Sequence, residues 1–259
     1  MLQNFQSLMP PSSYIRNSMS KLFYDLHIHS CLSPCGDEDM TPANIVMMAA
    51  LKNLDVIAVT DHNSCKNCPA VMELAKEYDL IALPGMELCT SEEVHVLCLF
   101  ATLSQALAFD EYVYSRLMKL PNEEKIFGKQ EIYNAMDQMV GTEPNLLINA
   151  TNIGFDSLGK LKKEFGGIYI PAHVDKKTNS LLSNLGFVPA EADFTVVEFS
   201  RTDQKEEILH NNPYLKKCNI IMNSDAHYLG HINEAVNYLS CDMRTQEGVL
   251  QALARIESA

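Results

Sequence analysis

Short apolar runs alternate with helix-length amphipathic stretches along most of the chain. Phe23–His29, Val56–Thr60, Ile81–Leu83, Val94–Phe100, Ile168–Pro171, Thr195–Phe199 and Ile220–Asn223 read as strands, being short apolar runs, with Val56–Thr60 rich in β-branched residues. Helices are expected over Pro42–Leu51, Ala70–Glu77, Leu103–Leu120, Lys129–Met139, Asp156–Phe165 and Thr245–Ile256. The first has Thr41 as N-cap and Pro42 in its opening turn, and the fifth stops at Gly166 and Gly167. Strands separated by helices argue for parallel pairing with crossover connections, and about seven such repeats suggest a barrel rather than an open sheet. Residues 121–151 fit this rhythm poorly and read as an elaboration or small cap. Residues 1–21, with Pro10, Pro11 and several serines, read as a loose extension before a barrel domain of residues 22–259, and Met19 is a candidate natural start.

Composition narrows the classes. With 259 residues and 47% hydrophobic content the chain can bury a sizeable core. The formal net charge of -13 disfavours anionic membranes and nucleic acid backbones, so duplex nucleic acid is not an expected partner. No apolar run approaches the ~20 residues of a membrane span. The first residues lack a secretory pattern, so the eight cysteines are expected as free thiols in a cytoplasmic protein. Oligomeric state is not assigned.

The chemistry lies at the strand ends. The first strand closes on His27-Ile28-His29, two imidazoles two residues apart and therefore on one face. The second ends in Thr60-Asp61-His62, and Gly85-Met86-Glu87 follows the third. His95 lies on the next, His173 follows Pro171-Ala172, and Ser224-Asp225-Ala226-His227 closes a late strand. In a parallel barrel such ends converge on one rim, where these folds place their active sites. Histidine and carboxylate together suit zinc, manganese or iron. Six of the eight histidines occupy such positions; a lone histidine there is usually structural, but six in succession are not independent accidents.

These blocks, in this order, resemble the polymerase and histidinol phosphatase (PHP) family of phosphoesterases, over about residues 24–227. The resemblance implies an α/β fold, a distorted TIM-like (β/α)7 barrel, holding two to three divalent ions (zinc, manganese or iron). It implies one ion on His27, His29, Glu87 and Asp225. A second would share Glu87 and add His95 and His173. A third would take His62, His227 and an acid from the loop after the first block. That loop reads Ser33-Pro34-Cys35-Gly36-Asp37-Glu38-Asp39, and counting back from Pro42 favours Asp37, with Asp39 as the alternative.

The expected activity is hydrolysis of a small phosphorylated metabolite or nucleotide, with a metal-bound hydroxide attacking phosphorus. Glu87 and His227 are the candidate catalytic residues within the metal set. Arg201 is the candidate bidentate phosphate clamp, Lys176 and Lys177 being weaker ones, and Asn63 could orient substrate or a ligand. Either a metal-bound water or a rim histidine could protonate the leaving group. Cys31, Cys35, Cys65 and Cys68 could together hold a structural zinc, though free thiols flanking the pocket are the plainer reading. Alternatives are a metal-dependent hydrolase of C–N or ester bonds, a non-catalytic metal-binding regulatory module, and a thiol redox or iron–sulfur protein.

Overall fold

A computed structural model describes residues 19–255. Most of the expected extension lies outside the described residues. In chain order the strands are β1 (Ser20–Ile28), β2 (Val56–Val59), β3 (Ile81–Cys89), β4 (His95–Leu99), β5 (Glu131–Tyr133), β6 (Met139–Thr142), β7 (Ile168–Pro171), β8 (Val196–Phe199), β9 (Asn219–Met222) and β10 (Tyr238–Cys241). The helices are α1 (Pro42–Leu51), α2 (Cys68–Ala75), α3 (Leu103–Tyr114), α4 (Glu124–Phe127), α5 (Leu158–Phe165), α6 (Leu181–Asn184), α7 (Lys205–Asn211) and α8 (Gln246–Ala254).

The main sheet has the order β10-β1-β2-β3-β4-β7, and β8 pairs with β9. Its β1, β2 and β3 are parallel. Strand β2 is buried at every position, as befits a strand covered on both faces. The β8–β9 pair, itself parallel, closes the curl. Val174 N–H donates to the Glu198 carbonyl beyond β7, and Ala226 bridges Ile28 at the end of β1. The outcome is a distorted TIM-like α/β barrel.

Three expectations need correction. Strand β4 is antiparallel to both β3 and β7, joined to β3 by a tight turn rather than a helix. Ser20 and Lys21 belong to β1 rather than to a loose extension, because β10 supplies them with an antiparallel partner. Lys129–Met139 is not a helix. Asn134 accepts the Met136 and Gln138 N–H groups on its side chain, Asp137 adopts a φ of 55°, and the segment turns back as the β5–β6 hairpin. Local turn chemistry wins there over helical periodicity. The hairpin packs against the segment that follows β1, with Glu131 N–H donating to Cys31 O.

Helix starts follow their caps. Thr41 accepts from Asn44 N–H ahead of Pro42, and Thr102 and Gln105 form a capping box on α3. No helix of the described residues is long and apolar enough to cross a membrane.

Candidate metal centre

All six strand-end histidines meet at one rim with Glu87 and Asp225. His95 arrives by an unforeseen route: it opens β4 opposite Cys89, and the antiparallel turn brings that first residue back to the rim where β3 ends. Glu87, almost fully buried, is the hub. Its Oε1 lies 3.3 Å from His27 Nε2, 2.9 Å from His95 Nδ1 and 3.1 Å from His173 Nε2. Its Oε2 lies 3.4 Å from His29 Nε2 and 3.0 Å from His62 Nδ1. The Asp225 carboxylate is 3.4 Å from His27 Nε2 and 3.2 Å from His29 Nε2.

The proton arithmetic tests whether a cation fits. His27 Nδ1 sits 3.1 Å from both Glu198 oxygens, so it carries the donor proton, and in the neutral ring Nε2 holds a lone pair. Ser33 Oγ donates to Asp61 and so accepts from His29 Nδ1 at 3.0 Å, which leaves a lone pair on His29 Nε2 as well. Those two Nε2 atoms face each other at 3.2 Å. Two opposed lone pairs among two carboxylates need a positive charge between them. A tetrahedral ion with nitrogen bonds of about 2.0–2.1 Å holds its ligands about 3.3–3.4 Å apart. The separations of 3.2–3.4 Å among His27, His29 and Asp225 match that edge, and Glu87 adds one oxygen 3.3 Å from His27 and the other 3.4 Å from His29. His62 Nδ1 and His173 Nδ1 are buried without a hydrogen-bond partner, the 3.0 Å approach of His62 to Glu87 lying off a hydrogen-bonding direction.

Electrostatics tell the same story. Burial alone would depress His27, but Glu198, Asp225 and Glu87 hold it well above the usual histidine range. Burial and the neighbouring His62 push His29 down to about 3. Without metal, one proton on His27 therefore serves both rings. Burial opposes ionisation of Glu87, yet His95 and His27 keep it well below the carboxylate range. Against the same opposition, the Glu87 charge carries His95 up to about 10.

Several predicted residues are placed differently. Asp37 stays out of the cluster: its carboxylate accepts from Asp39 N–H, tightening the loop turn. Cys35, from the same loop, is instead grouped with His29, His62 and His227, with potential ligand atoms all within 4.8 Å of one another. Arg201 is exposed, and it is its backbone N–H that bonds Asp175. It does not line the open cavity of about 190 Å³ over the cluster, whereas Cys35, His62, His173, Lys176 and His227 do. Lys176 pairs with Asp225. Asn63 clamps backbone, donating to Leu147 O and Asn149 O and accepting from Cys89 N–H. Cys65 and Cys68 both donate to Gly85 O within the apolar core, so no four-thiol cluster forms among the described residues.

Glu198 escaped the sequence reading. Besides facing His27, it accepts from His173 N–H at 2.8 Å and from Asn223 Nδ2 at 2.7 Å. Its signal was a lone carboxylate inside the apolar strand β8. Asp61 was noticed only as part of a block; it accepts from Ser30 N–H, Ser30 Oγ and Ser33 Oγ, and so orients His29 from behind.

A sequence model of the PHP domain matches residues 25–256. The chain belongs to the PHP domain family. An uncharacterized Bacillus subtilis protein, YqxK, is 26% identical over 259 residues, covering 85% of this chain and 59% of its own length. Among solved PHP-like folds, the lesion-specific endonuclease Q of Pyrococcus furiosus superposes with a TM-score of 0.65 at 19% identity, covering 91% of this chain and 56% of that one. A second endonuclease Q structure, TM-score 0.60 at 19% identity over 90% of this chain and 56% of the other, holds a 27-mer duplex with an abasic lesion at its active site. A Bacteroides vulgatus two-domain protein, described as containing a predicted PHP-like metal-dependent phosphoesterase, gives 0.55 at 15% identity, covering 98% and 67% of the two chains. The chain spans less than two thirds of the curated relatives it matches and of endonuclease Q. A PHP fold thus accommodates duplex DNA, and the exclusion of that partner, which rested on net charge alone, is withdrawn.

Proposed function

We propose that this PHP domain is a hydrolase of phosphoesters, acting on a small phosphorylated metabolite or nucleotide with two to three bound divalent cations. The observation that carries this reading is the 3.2 Å approach of His27 Nε2 and His29 Nε2, closed by Glu87 and Asp225. His95 and His173 approach the Oε1 that also faces His27, while Oε2 faces His29 and His62, so the carboxylate can serve two ions as a bridge. Bound cations would supply Lewis-acid charge for the phosphoryl oxygens and lower the pKa of an attacking water.

The protein's own groups do the rest. Glu198 and Ser33 fix the tautomers of His27 and His29. Lys176, at the cavity wall, offers an ammonium to a phosphate oxygen once Asp225 is engaged elsewhere, a task earlier given to Arg201. His227 keeps Nδ1 on the Asp225 carbonyl at 2.7 Å, leaving Nε2 toward the cavity. At about 190 Å³ the cavity is smaller than the roughly 300–1,000 Å³ of ordinary ligand pockets. It suits the phosphoryl group and leaves the alcohol portion at the open rim.

The test is metal-loaded protein against phosphomonoesters, phosphodiesters, nucleotides and an abasic duplex. Hydrolysis of at least one class, abolished by chelator and inhibited by inorganic phosphate, is expected. Turnover of amides without phosphate inhibition would favour C–N bond hydrolysis instead. No turnover of any phosphoester by metal-replete protein would overturn the proposal.

A further inference from the structure

We infer that the third cation position of this chain is completed by a thiolate, Cys35, together with His62 and His227 and beside His29, which gives that position a preference for thiophilic cations. The inference rests on the metal-centre reading and adds a ligand of a different chemical kind.

Three features put the thiol there. Its ligand atom lies within 4.8 Å of those of His29, His62 and His227, and it shares a cavity wall with the last two. The loop carrying it is pinned on both sides. Asp37 N–H donates to His227 O at 2.9 Å, and Gly36 N–H donates to Ser33 O at 2.9 Å. Gly36 also lies so close to the segment just after β1 that a Cβ there would fall 2.2 Å from Ser30 O, so no other residue fits without moving the loop. Finally, the His62 and His227 rings lie 4.6 and 4.5 Å from the His29 ring, which gathers the three imidazoles around that position.

Thiolate is a soft donor. A site of imidazoles and one thiolate suits zinc, cobalt or ferrous iron, whereas imidazole with carboxylate also suits manganese. On binding, the Cys35 S–H proton passes to solvent as the sulfur–metal bond forms, so charge and atoms balance without any redox partner.

Cobalt(II) substitution of the full chain reads the bond directly. Saturated parent protein should show a near-ultraviolet thiolate-to-cobalt charge-transfer band. Cys35→Ser should lose the band and lower affinity for the last cation at least about 10-fold, while Cys35→Asp should restore that cation without the band. Alkylation mapped by mass spectrometry gives a second readout on unmutated protein: zinc should protect Cys35 from iodoacetamide. A fully cobalt-loaded parent with no band, or a band that survives Cys35→Ser, would overturn the thiolate ligand and leave the metal centre standing. A parent that binds less than one equivalent of any cation would overturn both.

Discussion

Glu198→Gln is the sharpest perturbation of the centre, because it leaves every proposed ligand in place. The carboxylate faces three donors: His27 Nδ1 at 3.1 Å, His173 N–H at 2.8 Å and Asn223 Nδ2 at 2.7 Å. Glutamine fills the same volume but replaces one acceptor oxygen with an NH2 group, so at least one donor must face another. In a buried site that mismatch costs about 1–3 kcal/mol. For a chain of this size the melting temperature of metal-free protein should fall by roughly 2–12 °C. The larger effect should be on the ions, since His27 loses the partner that fixes its tautomer and raises its basicity. Cation affinity should drop about 10–100-fold. Competition against a chromophoric chelator measures the affinity, and thermal unfolding with and without chelator separates it from stability. A folded variant that binds its first cation as tightly as the parent would refute the role given to Glu198.

Other expectations follow from the same geometry. Elemental analysis of purified protein should find about two to three equivalents of zinc, iron or manganese, removable by chelator; fewer than one after supplementation would remove the centre. Lys176→Ala should weaken inhibition by inorganic phosphate, whereas Arg201→Ala should leave it unchanged; the reverse ranking would restore Arg201 as the clamp. Glu143 is buried, and although burial opposes its ionisation, Lys66 and Asn145 hold its pKa below the ordinary 4.5. Its stabilising contribution is therefore present above that value and lost as pH falls through the lower folded one. The stability gap between parent and Glu143→Gln should be full near neutrality and close on acidification; a gap constant from neutral pH to pH ~3 would contradict the pairing.

The candidate site was legible in the sequence because strand-end histidines and carboxylates stand out against apolar runs, and a period of two puts His27 and His29 on one face without further knowledge. Strand direction was not legible. Nothing in the run around Val96 distinguishes parallel from antiparallel, so β4 was read into a uniform barrel, and His95 reached the rim for a reason the pattern does not contain. The loop at Cys35 shows a different limit. Counting residues back from Pro42 assumes an even path, but Gly36 lets the chain dip against Ser30, which turns the thiol inward and Asp37 outward. Glu198 was hidden by strand β8 itself, whose apolar neighbours made the carboxylate look incidental.

The closing contact between β1 and the segment after β9 has a kinetic and mechanical meaning. His29 and Asp225 are separated by 225 − 29 = 196 residues, yet their side chains are 3.2 Å apart. An ion held by both joins distant parts of the chain, as a covalent crosslink would, and the entropy of closing so long a loop is already lost in the folded barrel. Glu87 and His95, by contrast, sit on one hairpin and can meet early in folding. The candidate metal site thus has two halves, a local one carried by the β3–β4 hairpin and a distant one that exists only when the barrel is shut. Cation at a thousand times its dissociation constant would hold the seam closed by about 4 kcal/mol. Loss of metal should therefore be felt first as opening of the C-terminal strands β9 and β10 to proteases, well before the hairpin loosens.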